Sequence, residues 1–138
     1  MVDKEKIRLK IQYIEGNNAK LEQLRRLTLE EFVKDFRNIE AAKHLLQVNI
    51  EAMIDIANHV IARYRWETPA TSGDSFKILW QKGYLNDKEL EVFSQMVKFR
   101  NRVVHLYHTV DDEEIYRILQ KHISDFSLFI KAISNQLF

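Results

Sequence analysis

With 138 residues, 46% of them hydrophobic and 30% charged, the chain has the make-up of one ordinary globular domain, long enough to bury a core without staples. It has no cysteine, which excludes disulfides, thiolate metal sites and cysteine nucleophiles together and suits a reducing cytoplasm. A formal net charge of +1 excludes a bulk polyanion binder, so any nucleic-acid site is a local patch: Arg25 with Arg26, Arg63 with Arg65, or Lys98 with Arg100 and Arg102.

The opening Met1-Val2-Asp3-Lys4-Glu5-Lys6 reads as the start of a charged helix rather than a leader, and no apolar run has membrane-span length, so no membrane contact is expected. Three glycines and one proline leave little to break helices, and no strand-like alternation occurs; the fold class is all-α, a single domain over residues 1–138. A first helix is predicted from about Asp3 to Arg26, with Ile7, Ile11, Ile14, Leu21 and Leu24 on one stripe and a kink at Gly16-Asn17-Asn18. Thr28 with Glu31 forms a capping-box signature for a short helix to about Phe36, and Asn38 is the expected cap of the next.

That next helix, about Ile39 to Tyr64, carries Leu46, Ile50, Met53, Ala57, Val60 and Ile61 at helical steps and is apolar on further faces, so it should form the buried spine. Residues 65 to 73, with Pro69 and Gly73, form the one long loop. Asp74 then caps a short helix to about Gln81, which Gly83 ends. Asn86 and Glu89 cap a helix from Asp87 to about Val104, and Asp111 with Glu114 cap one last helix from Asp112 to about Asn135, with His122 on its inner side. Four long helices plus short ones, joined by tight turns, make an up-and-down bundle.

The chemistry concentrates in Phe99-Arg100-Asn101-Arg102-Val103-Val104-His105-Leu106-Tyr107. Arginine presents a permanently charged fork that matches phosphate oxygens, and histidine titrates near neutrality, so the two together suit work on a phosphodiester. Taken singly, each has a plainer reading: a salt-bridged surface arginine, a satisfied core histidine, a packed tyrosine. At about 100° per residue, Arg100 and Tyr107 share a face if the helix continues, whereas His105 points about 140° from Arg100. Either the helix loosens before His105, which the polar His108-Thr109 run ahead of Asp111 favours, or the two residues do not act within one unbroken helical turn.

Asp55 and His59 are spaced as a helix-stabilising pair and are candidates for lining the same cleft, as is Arg102. Phe76, Trp66 and Trp80 are aromatics able to stack bases, though such residues more often lid a core. His105, His108, Asp111 and Asp112 lack a fixed metal-ligand register, and no Gly-rich phosphate loop is present, so neither metal nor cofactor is expected.

The Arg100, His105, Tyr107 spacing, Asn101 directly after the arginine, and the stretches Leu29-Glu30-Glu31-Phe32, Ile54 to His59 and Val110-Asp111-Asp112 together resemble the HEPN domain superfamily, in its HepT branch. The resemblance covers most of the chain. It implies a metal-independent endoribonuclease, the toxin of a toxin–antitoxin pair, with Arg100 and His105 catalytic and Asn101 orienting. It also implies a homodimer and a minimal nucleotidyltransferase antitoxin that attaches AMP to Tyr107. The alternative is a non-catalytic helical subunit that binds and presents substrate to such a nucleotidyltransferase.

Overall fold

In the computed structural model, residues 2–138 are described, and among them there are seven α-helices and one 3-10 turn, with no strand. Helix α1 (Lys4–Arg25) begins at Asp3, whose carboxylate accepts the Lys6 N–H. It buries Ile7, Ile14 and Leu21 completely, the stripe the sequence marks. The helix is not interrupted at Gly16-Asn17-Asn18. Asn17 turns inward and donates to Asn49 at 3.0 Å, and Asn49 donates to Asn18 at 2.9 Å, so polar residues in mid-helix are answered from the spine.

Helix α2 (Leu29–Lys34) has the predicted capping box, but it stops two residues early, and α3 (Phe36–Arg63) starts there with Asp35 as its cap. Asn38 is no cap: its amide donates back to the carbonyls of Glu31 and Phe32, closing the α2–α3 corner. Similarly α4 (Ser72–Gln81) is capped by Thr71, with Asp74 as the reciprocal partner three residues on. Gly83 takes φ +82°, the left-handed conformation a residue with a Cβ resists. Helix α5 (Asp87–His105) has the expected Asn86–Glu89 capping box.

The predicted last helix is two: α6 (Asp112–His122) and α7 (Ser124–Leu137). Ile123 keeps helical angles, but Phe126 N–H bonds the Ile123 carbonyl, three residues back rather than four, so the ladder tightens at the junction. His122 consequently faces solvent and meets Asp125 at 2.9 Å instead of joining the core.

Cross-helix bonds fix the directions. Asp3 meets His59, Lys10 meets Asp55, and Asn17 meets Asn49, so α1 and α3 are antiparallel. Gln120 bonds the Arg25 carbonyl, while the Arg8 guanidinium lies 4.5 Å from the Phe138 ring, so α6 and α7 run against α1. Helix α3 touches five of the other helices and is the buried spine. Phe76, Phe93 and Phe129, with ring centroids 5.4–5.8 Å apart, join α4, α5 and α7 beside it. No helix among the described residues is long and apolar enough to cross a membrane.

Candidate active site on the C-terminal half of α5

Phe93 and Val97 anchor α5 in the core, and the register they set turns Arg100 toward α3. The Arg100 side chain is 23% exposed. Its Nε and Nη2 donate to one oxygen of Glu51, Oε2, at 3.1 and 2.6 Å, and its Nη1 donates to Asn101 Oδ1 at 3.1 Å. Gln47, one turn before Glu51, donates to that same Oε2 at 3.4 Å. A guanidinium has five N–H donors. With three engaged, one donor on each terminal nitrogen is left without a partner among the described residues, each able to bond a phosphate oxygen.

Helix α5 stays regular through His105, and only at Leu106 (φ −132°, ψ 43°) does the chain leave it. The loosening expected before His105 is therefore displaced to just after it. Arg100 and His105 diverge by about 140° on one unbroken helix. Asn101 lies between them in register, one residue from Arg100 and one turn from His105. His105 is exposed at the helix end. Tyr107 does not share the face of Arg100, because the helix ends before it; it opens the 3-10 turn Tyr107–Thr109 and is 68% exposed.

Arg102 does not line this site. Its guanidinium donates to both oxygens of Glu114 and to the Thr109 carbonyl at 2.7 Å, bracing the turn that carries Tyr107 against α6. Glu114 raises the pKa of Arg102 further above its already high value, so the brace keeps its charge. Since Glu114 is spent on Arg102, the cap of α6 is Asp111 alone, accepting the Glu114 N–H at 2.7 Å.

Asp55 and His59 do not pair with each other; Asp55 meets Lys10 at 3.5 Å, and His59 Nε2 accepts the Asp3 backbone N–H at 3.2 Å. Asp55 does line a shallow groove between α1 and α3 together with Glu51, one turn away, whereas His59 is not part of it. Of the aromatic candidates, Phe76 is fully buried and Trp66 is packed between Tyr64 and Tyr84, while Trp80 donates its indole N–H to Asp87 at 2.8 Å. The described residues contain no cluster of three His, Asp or Glu side chains arranged to hold a metal ion.

Glu51 is the site residue that sequence reasoning missed. A signal existed: Glu51 and Asp55 are like charges one turn apart on the helix expected to be the buried spine, an unfavourable spacing unless cations from other helices answer both. Arg100 and Lys10 do so.

The family model described as Ribonuclease HepT-like matches residues 14–133, from within α1 into α7, and so takes in Asn17, Glu51 and the whole of α5. The chain belongs to this family. As a HepT-like ribonuclease it is 33% identical over 103 residues to the mRNA nuclease HepT of Shewanella oneidensis, covering 75% of this chain and 77% of that one. It is 21% identical over 117 residues to the tRNA nuclease HepT of Aphanizomenon flos-aquae, covering 85% and 80%. The solved structure of the tri-AMPylated S. oneidensis HEPN toxin in complex with its MNT antitoxin superposes on the HepT-like fold with a TM-score of 0.86 at 30% identity, over 94% of this chain and 96% of that one. The cytosolic protein YutE of Bacillus subtilis, at 22% identity and a TM-score of 0.83 over 99% and 91%, shares the same fold.

Proposed function

We propose that this chain is the endoribonuclease toxin of a toxin–antitoxin pair, a cytoplasmic homodimer cutting RNA by attack of a ribose 2′-hydroxyl on its own phosphodiester. The observation that carries this reading is the half-engaged Arg100 fork, with its two remaining donors, in a chain of the HepT-like family. The 2′-oxygen bonds to phosphorus, and the bond to the 5′-oxygen breaks, leaving a 2′,3′-cyclic phosphate and a 5′-hydroxyl. The internal nucleophile removes the need for metal-bound water. Arg100 stabilises the charge that builds on the phosphate.

His105 takes the 2′-proton as general base, and a second imidazole gives one to the leaving oxygen. One imidazole cannot stand on both sides of an in-line displacement, and within one protomer Arg100 and His105 point apart. Both facts favour a two-fold dimer in which two copies complete one cleft. RNA loops and single strands are the substrates this suits, because in-line attack needs a flexible backbone.

Tyr107 is the attachment point for AMP. Its phenol attacks the α-phosphorus of ATP on a partner nucleotidyltransferase and releases pyrophosphate. The strong exposure of its ring on a braced turn supports this assignment, as does the tri-AMPylated state of the S. oneidensis relative. The anion so added stands two residues beyond His105, at the end of the helix that bears the catalytic pair.

The divergence of Arg100 and His105 also favours a second reading, a non-catalytic subunit that presents Tyr107 to the nucleotidyltransferase. Incubation with labelled RNA in EDTA separates the two. Cleavage by the wild-type chain that is lost on Arg100→Ala and on His105→Ala, with helicity unchanged, is the expected result. Full cleavage by either variant ends the assignment of that residue, and no cleavage by the wild type leaves the presenting subunit.

A further inference from the structure

The ionic partner of the catalytic arginine lies on another helix and has no role so far. We infer that Glu51 is the positioning residue of the active site: its carboxylate fixes the Arg100 guanidinium by the Nε and Nη2 edge and so aims the remaining donors at the phosphate. The inference rests on the nuclease reading and extends it.

The geometry distinguishes this pair from an incidental surface bridge. Both partners are held back from solvent, with the Glu51 side chain 33% exposed and that of Arg100 23%. Both Arg100 contacts converge on Oε2, and Gln47 supports the same oxygen from the preceding turn. Asn101 takes a hydrogen of the far nitrogen. An arginine side chain free in water samples many rotamers; here three fixed contacts select one before substrate arrives, the arrangement that makes a charge effective in a transition state. A bridge that sequestered the arginine would occupy the terminal donors as well. This one uses the side edge and leaves a donor on each terminal nitrogen.

Glu51→Ala is the informative variant, because alanine suits a helix interior and the site is partly open to water, so folding is kept. With a labelled RNA in EDTA, kcat is expected to fall about tenfold or more with KM changed little, the signature of an interaction spent on the transition state. In parallel, the Arg100 Nε–H signal in a 1H–15N spectrum of the RNA-free protein is expected to be sharp and slow to exchange in the wild type and lost in Glu51→Ala.

Unchanged or raised kcat in Glu51→Ala overturns the inference, the latter by making the pair a restraint. A wild-type chain that cuts no RNA overturns the nuclease reading and the catalytic half of the inference with it. The Nε–H signal then still decides whether Glu51 orders the guanidinium, and its persistence in Glu51→Ala refutes that as well.

Discussion

The imidazole of His59 accepts the Asp3 N–H through Nε2, which it can do only while that nitrogen carries no proton. Burial, first of all, and then the cations Lys6, Arg63 and Lys10 push its pKa below the usual 6.5, with Asp3 opposing. The folded chain thus takes up this proton at a lower pH than the unfolded chain. The stability His59 contributes is present in full above about 6.5 and is lost as the pH falls from there toward the folded value. His59→Gln, whose amide oxygen can accept the same N–H and never titrates, is expected to lower the loss in melting temperature between about pH 8 and about pH 5. Thermal melts at the two pH values check this, and an identical loss in both proteins refutes it. The residue is thereby an anchor for the start of α1, a role its spacing from Asp55 gave no hint of.

At the scale of elements, the α1–α3 seam is set by three asparagines. Asn49 is wholly buried and serves both sides, accepting from Asn17 and donating to Asn18. Asn49→Ala strands the Asn17 amide in the interior, at a cost of about 1–3 kcal/mol, and the melting temperature is expected to drop by roughly 5 °C or more. An unchanged melt would mean that water replaces the lost partners.

The same seam shows how far element reasoning reaches. The apolar stripe of Ile7, Ile14 and Leu21 was legible because a 3.6-residue period is local, and the capping boxes at Thr28 and Asn86 because both partners lie within three residues. The asparagine run looked like a weak point because its answering residue sits on a helix 31 or 32 positions away. The junction at Ile123 was harder to read: Ser124 and Asp125 are residue types that favour helix starts, but the apolar period runs on across them, and only the hydrogen-bond ladder shows the change.

At the scale of the whole molecule, one protomer presents Arg100 toward α3 and His105 at the open end of α5. A dimer whose cleft draws on both copies has a consequence that no single-chain site shares. Wild-type and His105→Ala proteins, unfolded together in equal amounts and refolded as a mixture, are expected to cleave at roughly a quarter of the rate of the same amount of wild type, because only one dimer in four then holds both imidazoles. A rate of roughly one half, with the mixed dimers keeping one working site each, argues that each protomer works alone.

The sequence by itself determined the helical class, the order of the helices and the identity of the motif, because periodicity, caps and neighbouring residues act within a turn or two of chain. The tertiary structure decided which charges meet. It gave Arg100 to Glu51, turned Arg102 from the cleft to Glu114, and ended α5 between His105 and Tyr107. Those outcomes depend on how helices far apart in the chain cross and on which side chains the crossing leaves to share a desolvated space, and no local pattern encodes that.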